Sequence, residues 1–263
     1  MSKAEQTYDL SHLGGSAAKW RNSAALRAVY GDILRRMQAG CVPGTTLEVG
    51  SGIGVAREIC PDWVLSDVVV TPHVNRAVSA YEIPAEAWGN IVAFDVLHHL
   101  REPVRFFASA AAALRPGGRI VLAEPAGTPA GCLLYRMFHP ELCRPAEITP
   151  PYAFPADADG RFANMGMAHA LFGRERSRVE PILQDLGLSI VSVHHRDLLA
   201  YPATGGFSRP ALLPAPVLRA LLVLESALPQ VLLRRVALRM IVVLERMGAG
   251  SRSSRVEQSS IRL

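Results

Sequence analysis

The chain has 263 residues, of which 49% are hydrophobic, so it can bury a sizeable core and is not a disordered protein. Its formal net charge of +5 comes almost entirely from scattered arginines, because Lys3 and Lys19 are its only lysines. No block of five or more like charges occurs, which argues against a nucleic-acid partner.

The four cysteines are widely spaced and form no C-x-x-C pair, which predicts reduced thiols and no zinc site. The first twenty residues lack the basic-then-apolar order of a secretory signal. No uncharged apolar run reaches 18 residues, so no simple membrane-spanning helix is expected. These features together predict a cytoplasmic protein.

The N-terminal segment, residues 1–40, is predicted to be a polar arm followed by one helix. Residues 1–16 contain Gly and Ser and could form a loose arm that closes over a ligand. From position 17 to position 37 apolar residues recur at roughly helical spacing, and Gly40 is placed to end that helix. A Val-Pro-Gly turn then leads into a first strand over 45–49.

The stretch TLEVGSGIG, residues 46–54, is the most informative part of the chain. A short apolar strand stops in three alternating glycines, Gly50, Gly52 and Gly54. Glycine tolerates positive φ and has no Cβ, so a ligand can lie directly against such a turn. The stretch therefore predicts a strand that leads into a nucleotide-binding turn.

The strands that follow end in acidic residues. After a short helix over 55–59, a second strand over 63–67 ends in Asp67, which lies 17 residues past Gly50. A short strand is expected near 74–77, and a buried strand over 90–95 ends in Asp95. Ligands of open parallel sheets bind at the carboxyl ends of the strands, where an acid can accept both ribose hydroxyl protons. Asp67 is the candidate for that role.

A helix over 103–114 with an apolar face comes next, closed by Arg-Pro-Gly-Gly at 115–118, and then a strand over 119–124. Strand and helix thus alternate with short connections in the first half of the chain. This pattern predicts an α/β fold with a doubly wound, mostly parallel sheet and right-handed crossovers.

The second half is less regular. Residues 127–172 are rich in proline and aromatic residues and predict a cap or lid, followed by a helix over 174–186 and a strand over 188–195. The apolar stretch 211–247 fits two helices, over 215–228 and 230–238, and a last strand over 240–245, favoured over a continued helix. We divide the chain into an arm and helix (1–40), a binding core (41–126), a cap (127–172), the rest of the sheet with a hydrophobic helical insertion (173–247) and a disordered tail (248–263).

Four elements in this order resemble the class I S-adenosylmethionine-dependent methyltransferases: LEVGSGIG, an acid at the second strand tip, FDVLHHL, and LRPGGRIVLAEP. The resemblance covers about residues 45–125. Within the family, the chain is similar to the small-molecule, ubiquinone-type (type 11) group. It implies a seven-stranded Rossmann-like sheet. The rival, a nicotinamide dinucleotide site, needs G-x-G-x-x-G, but counting from Gly50 the last position is Val55.

The resemblance also implies how S-adenosylmethionine is bound, leaving S-adenosylhomocysteine as product. Asp67 would hold the ribose, and His99 would lie near the sulfonium. The family usually has an acid for the adenine amine where this chain has Ser79, so serine would make that contact more weakly or through water. The full set of implied donor-binding residues is Glu48, Gly50, Ser51, Gly52, Asp67, Ala80, Tyr81, Ile83, Asp95, Val96 and His99.

Methyl transfer is an in-line displacement at a sulfonium carbon, so alignment and desolvation can supply much of the catalysis. A hydroxyl acceptor must also lose its proton, and the candidate bases are His99 and, in the cap, His139. Asp157 and Asp159 before Gly160 resemble half a cation loop without its other ligands, so no metal is assigned.

The apolar cap favours a hydrophobic small-molecule or lipid-like acceptor methylated on oxygen, with nitrogen or carbon less favoured. The stretch 211–238 could pack in the core, form a homodimer or touch a membrane surface. The alternatives are a non-catalytic protein that binds the donor as a scaffold and, less favoured, an NAD-dependent oxidoreductase.

Overall fold

The computed structural model describes residues 11–156 and 161–248 of the chain. The helices are α1 (Ser11–Asn22), α2 (Ala24–Gly40), α3 (Pro103–Ala113), α4 (Pro129–Phe138), α5 (Met167–His169), α6 (Arg176–Asp185), α7 (Ala200–Ala203), α8 (Ala215–Ser226) and α9 (Gln230–Val236). The strands are β1 (Thr46–Val49), β2 (Val64–Asp67), β3 (Arg76–Ala77), β4 (Trp88–Phe94), β5 (Leu114–Pro125), β6 (Leu188–Arg196) and β7 (Arg239–Arg246). Short 3-10 turns cover Val55–Glu58, Leu97–His99 and Pro145–Glu147, and a π turn covers Ala170–Arg174.

The described strands form one seven-stranded sheet in the order β3-β2-β1-β4-β5-β7-β6. Neighbours pair in parallel except β7, which runs antiparallel to both β5 and β6. The order reverses between β1 and β4, and at such a switch point the carboxyl ends of the two strands open a crevice for a ligand. The predicted doubly wound, mostly parallel seven-stranded sheet is confirmed.

Helices cover both faces of the sheet, which explains why its central strands are apolar throughout. On one face Leu47, Ile91 and Leu122 pack with Phe106 and Phe107 of α3. On the other face Val92 and Val121 pack with residues of α2 such as Leu26 and Val29. This double burial holds the ends of β1, β2 and β4 in fixed positions.

The prediction of one continuous helix near the N-terminus was wrong. Two helices replace one, because Ser23 has extended backbone angles and its Oγ accepts a hydrogen bond from the Leu26 N–H at 3.2 Å, which starts α2. The loose arm predicted for 1–16 is also wrong for its last part, since α1 begins at Ser11. Residues 1–10 lie outside the described residues, as does the predicted disordered tail from 249 onward.

Two local predictions around turns also need correction. The helix expected over 55–59 is a single 3-10 turn, Val55–Glu58. The Arg-Pro-Gly-Gly segment at 115–118 was predicted as a separate turn, but it lies within β5. The pairing of β5 with β4 is irregular there, opposite Gly89. A Cβ on Gly118 would lie 2.8 Å from the Arg115 carbonyl oxygen and 3.0 Å from that of Gly89, so only glycine fits this close crossing.

The C-terminal part confirms the last strand, which is β7. In the insertion, α8 packs on α2 through Leu218 and Leu222, while Val223, Leu224 and Val231 are exposed. The stretch 211–238 is therefore packed against the core on one side and apolar on the other. Among the described residues, no helix combines the length and the apolar character that crossing a bilayer requires.

Candidate active site

The glycine turn after β1 depends on left-handed backbone at alternate positions. Gly50, Gly52 and Gly54 have φ values of +70°, +53° and +69°. In addition, a Cβ on Gly50 would lie 2.4 Å from Cγ2 of Val96. Only glycine allows this conformation and this approach, which brings the end of β1 against the end of β4.

The turn is held to β2 by polar contacts. The Ser51 N–H donates to the Ser66 carbonyl oxygen at 2.9 Å, and the Ser66 N–H donates to Ser51 Oγ at 3.1 Å. The Gly52 N–H donates to Asp67 Oδ2 at 2.8 Å. Asp67 thus faces the glycine turn, and its contact with the ribose stays a prediction. Ser51 has a structural role that the sequence did not reveal.

Glu48 is buried beneath the turn at 2% exposure. Its Oε2 has no hydrogen-bond partner among the described residues. Burial raises the pKa of Glu48 to about 7; the nearby Asp67 adds to the rise, and a hydrogen bond with Ser51 opposes it. An uncompensated buried carboxyl of this kind gains from a cation bound close by.

The residues assigned to the adenine side lie against α3. Ala80 and Ile83 are buried in the core cluster on that face. The Tyr81 hydroxyl accepts a hydrogen bond from the Glu102 N–H at 3.2 Å, and the Arg105 guanidinium lies 4.9 Å from the centre of the Tyr81 ring. Adenine contact by these residues stays a prediction.

Asp95, at the end of β4, is paired with an arginine that sequence reasoning missed. Arg239 Nη1 and Nη2 donate to the two Asp95 carboxylate oxygens at 3.1 and 2.5 Å. Arg239 is 2% exposed and also stacks between the rings of Phe94 and Tyr201. Both oxygens of the Asp95 carboxylate therefore bind Arg239. Contact of Asp95 with the donor stays a prediction.

A second acid, Glu124 at the end of β5, organises the turn that carries the two histidines. Glu124 Oε1 accepts the N–H groups of Val96 and Leu97 at 2.9 and 2.7 Å. Its Oε2 lies 2.7 Å from His98 Nδ1. Burial alone would lower the pKa of His98, but the carboxylates of Glu124 and Glu141 outweigh it and raise the pKa to about 10.

The cap brings a third acid to this place. Glu141 Oε2 lies 3.6 Å from His98 Nε2, and Glu141 Oε1 lies 3.9 Å from His99 Nε2. Asn164 secures the cap segment there, since its N–H donates to the His98 carbonyl oxygen and its side chain bonds both the N–H and the carbonyl oxygen of Arg144. The structure therefore brings His99 together with the cap.

His139 is at the end of α4 and beside Glu141. The Glu141 N–H donates to His139 Nδ1 at 3.2 Å, which places the ring proton of a neutral His139 on Nε2. In this geometry His139 has no free lone pair for a base, whereas His99 has an exposed side chain. Both catalytic assignments stay predictions, and the structure favours His99.

The glycine turn and Asp67 were predicted from the sequence, whereas Glu124, Glu141 and Arg239 were not. For Glu124 a signal existed, because it ends a parallel strand next to the one that ends at Asp95. Glu141 and Arg239 carried no local signal, since they reach the site from the cap and from β7. Asp157, Asp159 and Gly160 lie outside the described residues.

Comparisons with known proteins agree with this architecture. A family model described as "Methyltransferase domain" matches residues 22–172. A SAM-dependent methyltransferase from Archaeoglobus fulgidus is similar in fold, with a TM-score of 0.50 and 15% identity over 90% of this chain and 100% of that one. The 1,6-didemethyltoxoflavin-N1-methyltransferase of Burkholderia thailandensis has a TM-score of 0.45 and 14% identity over 91% and 85%.

No protein among the curated sequences compared matches the chain. The narrower assignment to the ubiquinone-type group stays a prediction. Because the family model covers more than half of the chain, the chain belongs to the methyltransferase domain family, and it is an S-adenosylmethionine-dependent methyltransferase of class I, as its sequence predicted.

Proposed function

We propose that this protein transfers the methyl group of S-adenosylmethionine to an oxygen atom of a hydrophobic small molecule or lipid-like acceptor. The observation that carries the proposal is the meeting of two groups at one sheet edge. The glycine turn with Asp67 suits the donor, and His99 beside Glu141 suits a hydroxyl that must lose its proton. A neutral amine can attack with its own lone pair, so a nitrogen acceptor requires this cluster less.

The reaction balances with these groups alone. The acceptor hydroxyl gives up its proton at the histidine–carboxylate cluster, and its oxygen forms a bond to the methyl carbon. The bond from that carbon to sulfur breaks, and the electron pair stays on sulfur, which leaves S-adenosylhomocysteine. In-line alignment of oxygen, carbon and sulfur supplies much of the rate.

The cap supports an apolar acceptor. On α4, Leu133, Met137 and Phe138 are exposed just before His139. Exposed apolar residues in one place indicate a surface that binds another apolar group. The exposed residues of α8 and α9 likewise support peripheral membrane contact or a homodimer, either of which would bring a lipid-like acceptor to the protein.

The test is turnover on a panel of acceptors, with matched apolar alcohols, phenols and amines. We expect S-adenosylhomocysteine to form in equal amount with an O-methylated product, identified by mass spectrometry. Methylation of the amines alone would contradict the oxygen assignment. Donor binding without turnover on the native acceptor would favour the scaffold alternative, and binding of NAD in place of the donor would favour the oxidoreductase.

Glu48 gives a prediction on pH. Its pKa of about 7 means that Glu48 is protonated at pH 6, and a bound donor with a positive sulfonium and ammonium favours the charged carboxylate. Donor binding at pH 6 should therefore release close to one proton, and this release should vanish as the pH rises well above 7.

Calorimetric titrations of the donor in two buffers of different ionisation enthalpy measure this release. Glu48→Gln, which keeps the size of the side chain and cannot titrate, is the matched control and should release no proton. An equal release from the wild-type protein and Glu48→Gln would show that another group titrates.

A further inference from the structure

Three side chains with metal-binding atoms lie close together where the Leu97–His99 turn, which follows β4, meets the cap. They are His98, His99 and Glu141, and one ligand atom from each lies within 4.8 Å of the other two. They belong to two segments 42 positions apart, joined here by the hydrogen bonds of Asn164. The meeting of these atoms is therefore a property of the fold and not of one local motif.

The orientation of His98 is fixed by a buried partner. His98 Nδ1 faces Glu124 Oε2 at 2.7 Å, and Glu124 is fully buried with its other oxygen bound to two main-chain N–H groups. Nδ1 must therefore be the nitrogen that donates, which leaves Nε2 to face Glu141. A carboxylate that binds the far nitrogen of a histidine is the usual outer partner of a metal-ligating imidazole.

The distances at the other side of the ring are longer than those of a hydrogen bond and fall in the range of ion pairs. His98 Nε2 and Glu141 Oε2 are 3.6 Å apart, and His99 Nε2 and Glu141 Oε1 are 3.9 Å apart. A hydrogen bond would require about 2.7–3.2 Å. Ligand atoms around one ion at bonds of about 2.0–2.1 Å are roughly 3.0–3.4 Å apart, so the three ligand atoms, which lie within 4.8 Å of one another, would have to approach by up to roughly 1.4 Å to close around an ion.

Charge and access also suit a cation. The two carboxylates of Glu124 and Glu141 flank His98 and attract positive charge to it, so a cation can take the place of the proton that His98 Nε2 otherwise carries. The His99 and Glu141 side chains are 45% and 30% exposed, so an ion can enter from solvent and keep open positions. The other group of possible ligands, Asp95, His98 and Glu124, is less suited, because Asp95 is held by Arg239 and Glu124 by main-chain N–H groups.

We propose that His98, His99 and Glu141 bind a divalent transition-metal ion. Two imidazole nitrogens and one carboxylate favour a borderline ion such as Zn²⁺ or Co²⁺ over Mg²⁺ or Ca²⁺, which prefer oxygen ligands. Three protein ligands leave open coordination positions, as in catalytic metal sites.

The position of the ion gives it a role in the reaction, and this role rests on the function proposed above. An acceptor hydroxyl bound at an open position would become more acidic and would release its proton to the water that reaches this exposed site, so that its oxygen would attack the donor methyl group as an alkoxide or phenolate. With the ion bound, His99 would be a ligand, and the ion would take over the activation of the hydroxyl that the proposed function assigns to the histidine–carboxylate cluster. Glu124 acts as a positioning residue behind His98.

The experiment uses the full chain, stripped with a chelator and dialysed, and titrated with Co²⁺ and Zn²⁺. We expect one equivalent to bind, with the visible absorption of protein-bound Co²⁺ and a metal content measured by mass spectrometry. His99→Ala and Glu141→Gln should each weaken binding at least about tenfold. Both side chains are partly exposed, so both variants should still fold, and their unfolding temperatures check this.

The matched control is His194→Ala, which removes an exposed histidine of β6 and should leave the affinity unchanged. The absence of stoichiometric binding, or equal affinity in His99→Ala, Glu141→Gln and the wild-type protein, would overturn the site. Methyl transfer that is unchanged after metal removal would overturn the role in the reaction.

Binding of S-adenosylhomocysteine to the stripped protein separates the two proposals. If S-adenosylhomocysteine binds and the metal does not, the metal site alone is wrong. If the metal binds and S-adenosylhomocysteine does not, the donor site is wrong and the metal site stands.

Discussion

Asp95→Asn should destabilise the fold by about 3 kcal/mol, because it leaves the buried guanidinium of Arg239 without its carboxylate. Arg239 is 2% exposed, and after the substitution its remaining hydrogen-bond and ring partners are the Tyr201 hydroxyl, the Ala123 carbonyl oxygen and two aromatic rings, while the buried carboxyl of Asp197 interacts with it only through space. None of these hydrogen-bond and ring partners carries the negative charge that offsets burial of the cation. Urea denaturation followed by circular dichroism would measure the loss.

Substitution of the partner residue, Arg239, is the matched control. Arg239→Met leaves Asp95, whose side chain is 32% exposed and can be hydrated, so we expect a smaller loss than for Asp95→Asn. A change of less than 1 kcal/mol in Asp95→Asn would show that the pair contributes little. Donor affinity measured on the folded Asp95→Asn protein would also test whether Asp95 contacts the methionyl group.

Asp67→Ala should weaken binding of S-adenosylhomocysteine by roughly 1–3 kcal/mol, which is about 5- to 150-fold in the dissociation constant. The substitution removes the charge-assisted hydrogen bonds expected with the ribose hydroxyls. It also removes the acceptor of the Gly52 N–H, so part of the loss could come from the turn itself.

Asp67→Asn separates these two causes. Its amide oxygen can still accept the Gly52 N–H, whereas it cannot accept both ribose hydroxyl protons as a carboxylate does. If the ribose contact dominates, calorimetry will show both variants weakened. Wild-type affinity in Asp67→Asn together with weak binding in Asp67→Ala would mean that Asp67 only shapes the turn.

The fold could be predicted where local pattern and global arrangement agree. Apolar strands that end in glycine or an acid, with short connections, predicted β1, β2, β4 and β5 and the parallel order around them. The prediction was wrong where a single side chain decides the local structure. The Ser23 cap divides the N-terminal helix, and the close crossing of Gly118 with Gly89 draws a predicted turn into β5.

The site could be predicted in part for the same reason. The glycine turn and Asp67 belong to the short segment that contains the parallel neighbours β1 and β2, and their contact follows from the spacing along the chain. Arg239 and Glu141 meet their partners across 144 and 43 positions, from β7 and from the cap. Such contacts depend on the tertiary arrangement, and no periodicity or local motif encodes them.

The most direct test of the donor site is an experimental structure of the full chain with S-adenosylhomocysteine bound. We expect the ribose hydroxyls within hydrogen-bond distance of the Asp67 carboxylate, and the homocysteine part along the Gly50–Gly52 turn above Glu48. A ligand bound elsewhere, with no contact to the Asp67 carboxylate, would contradict the account.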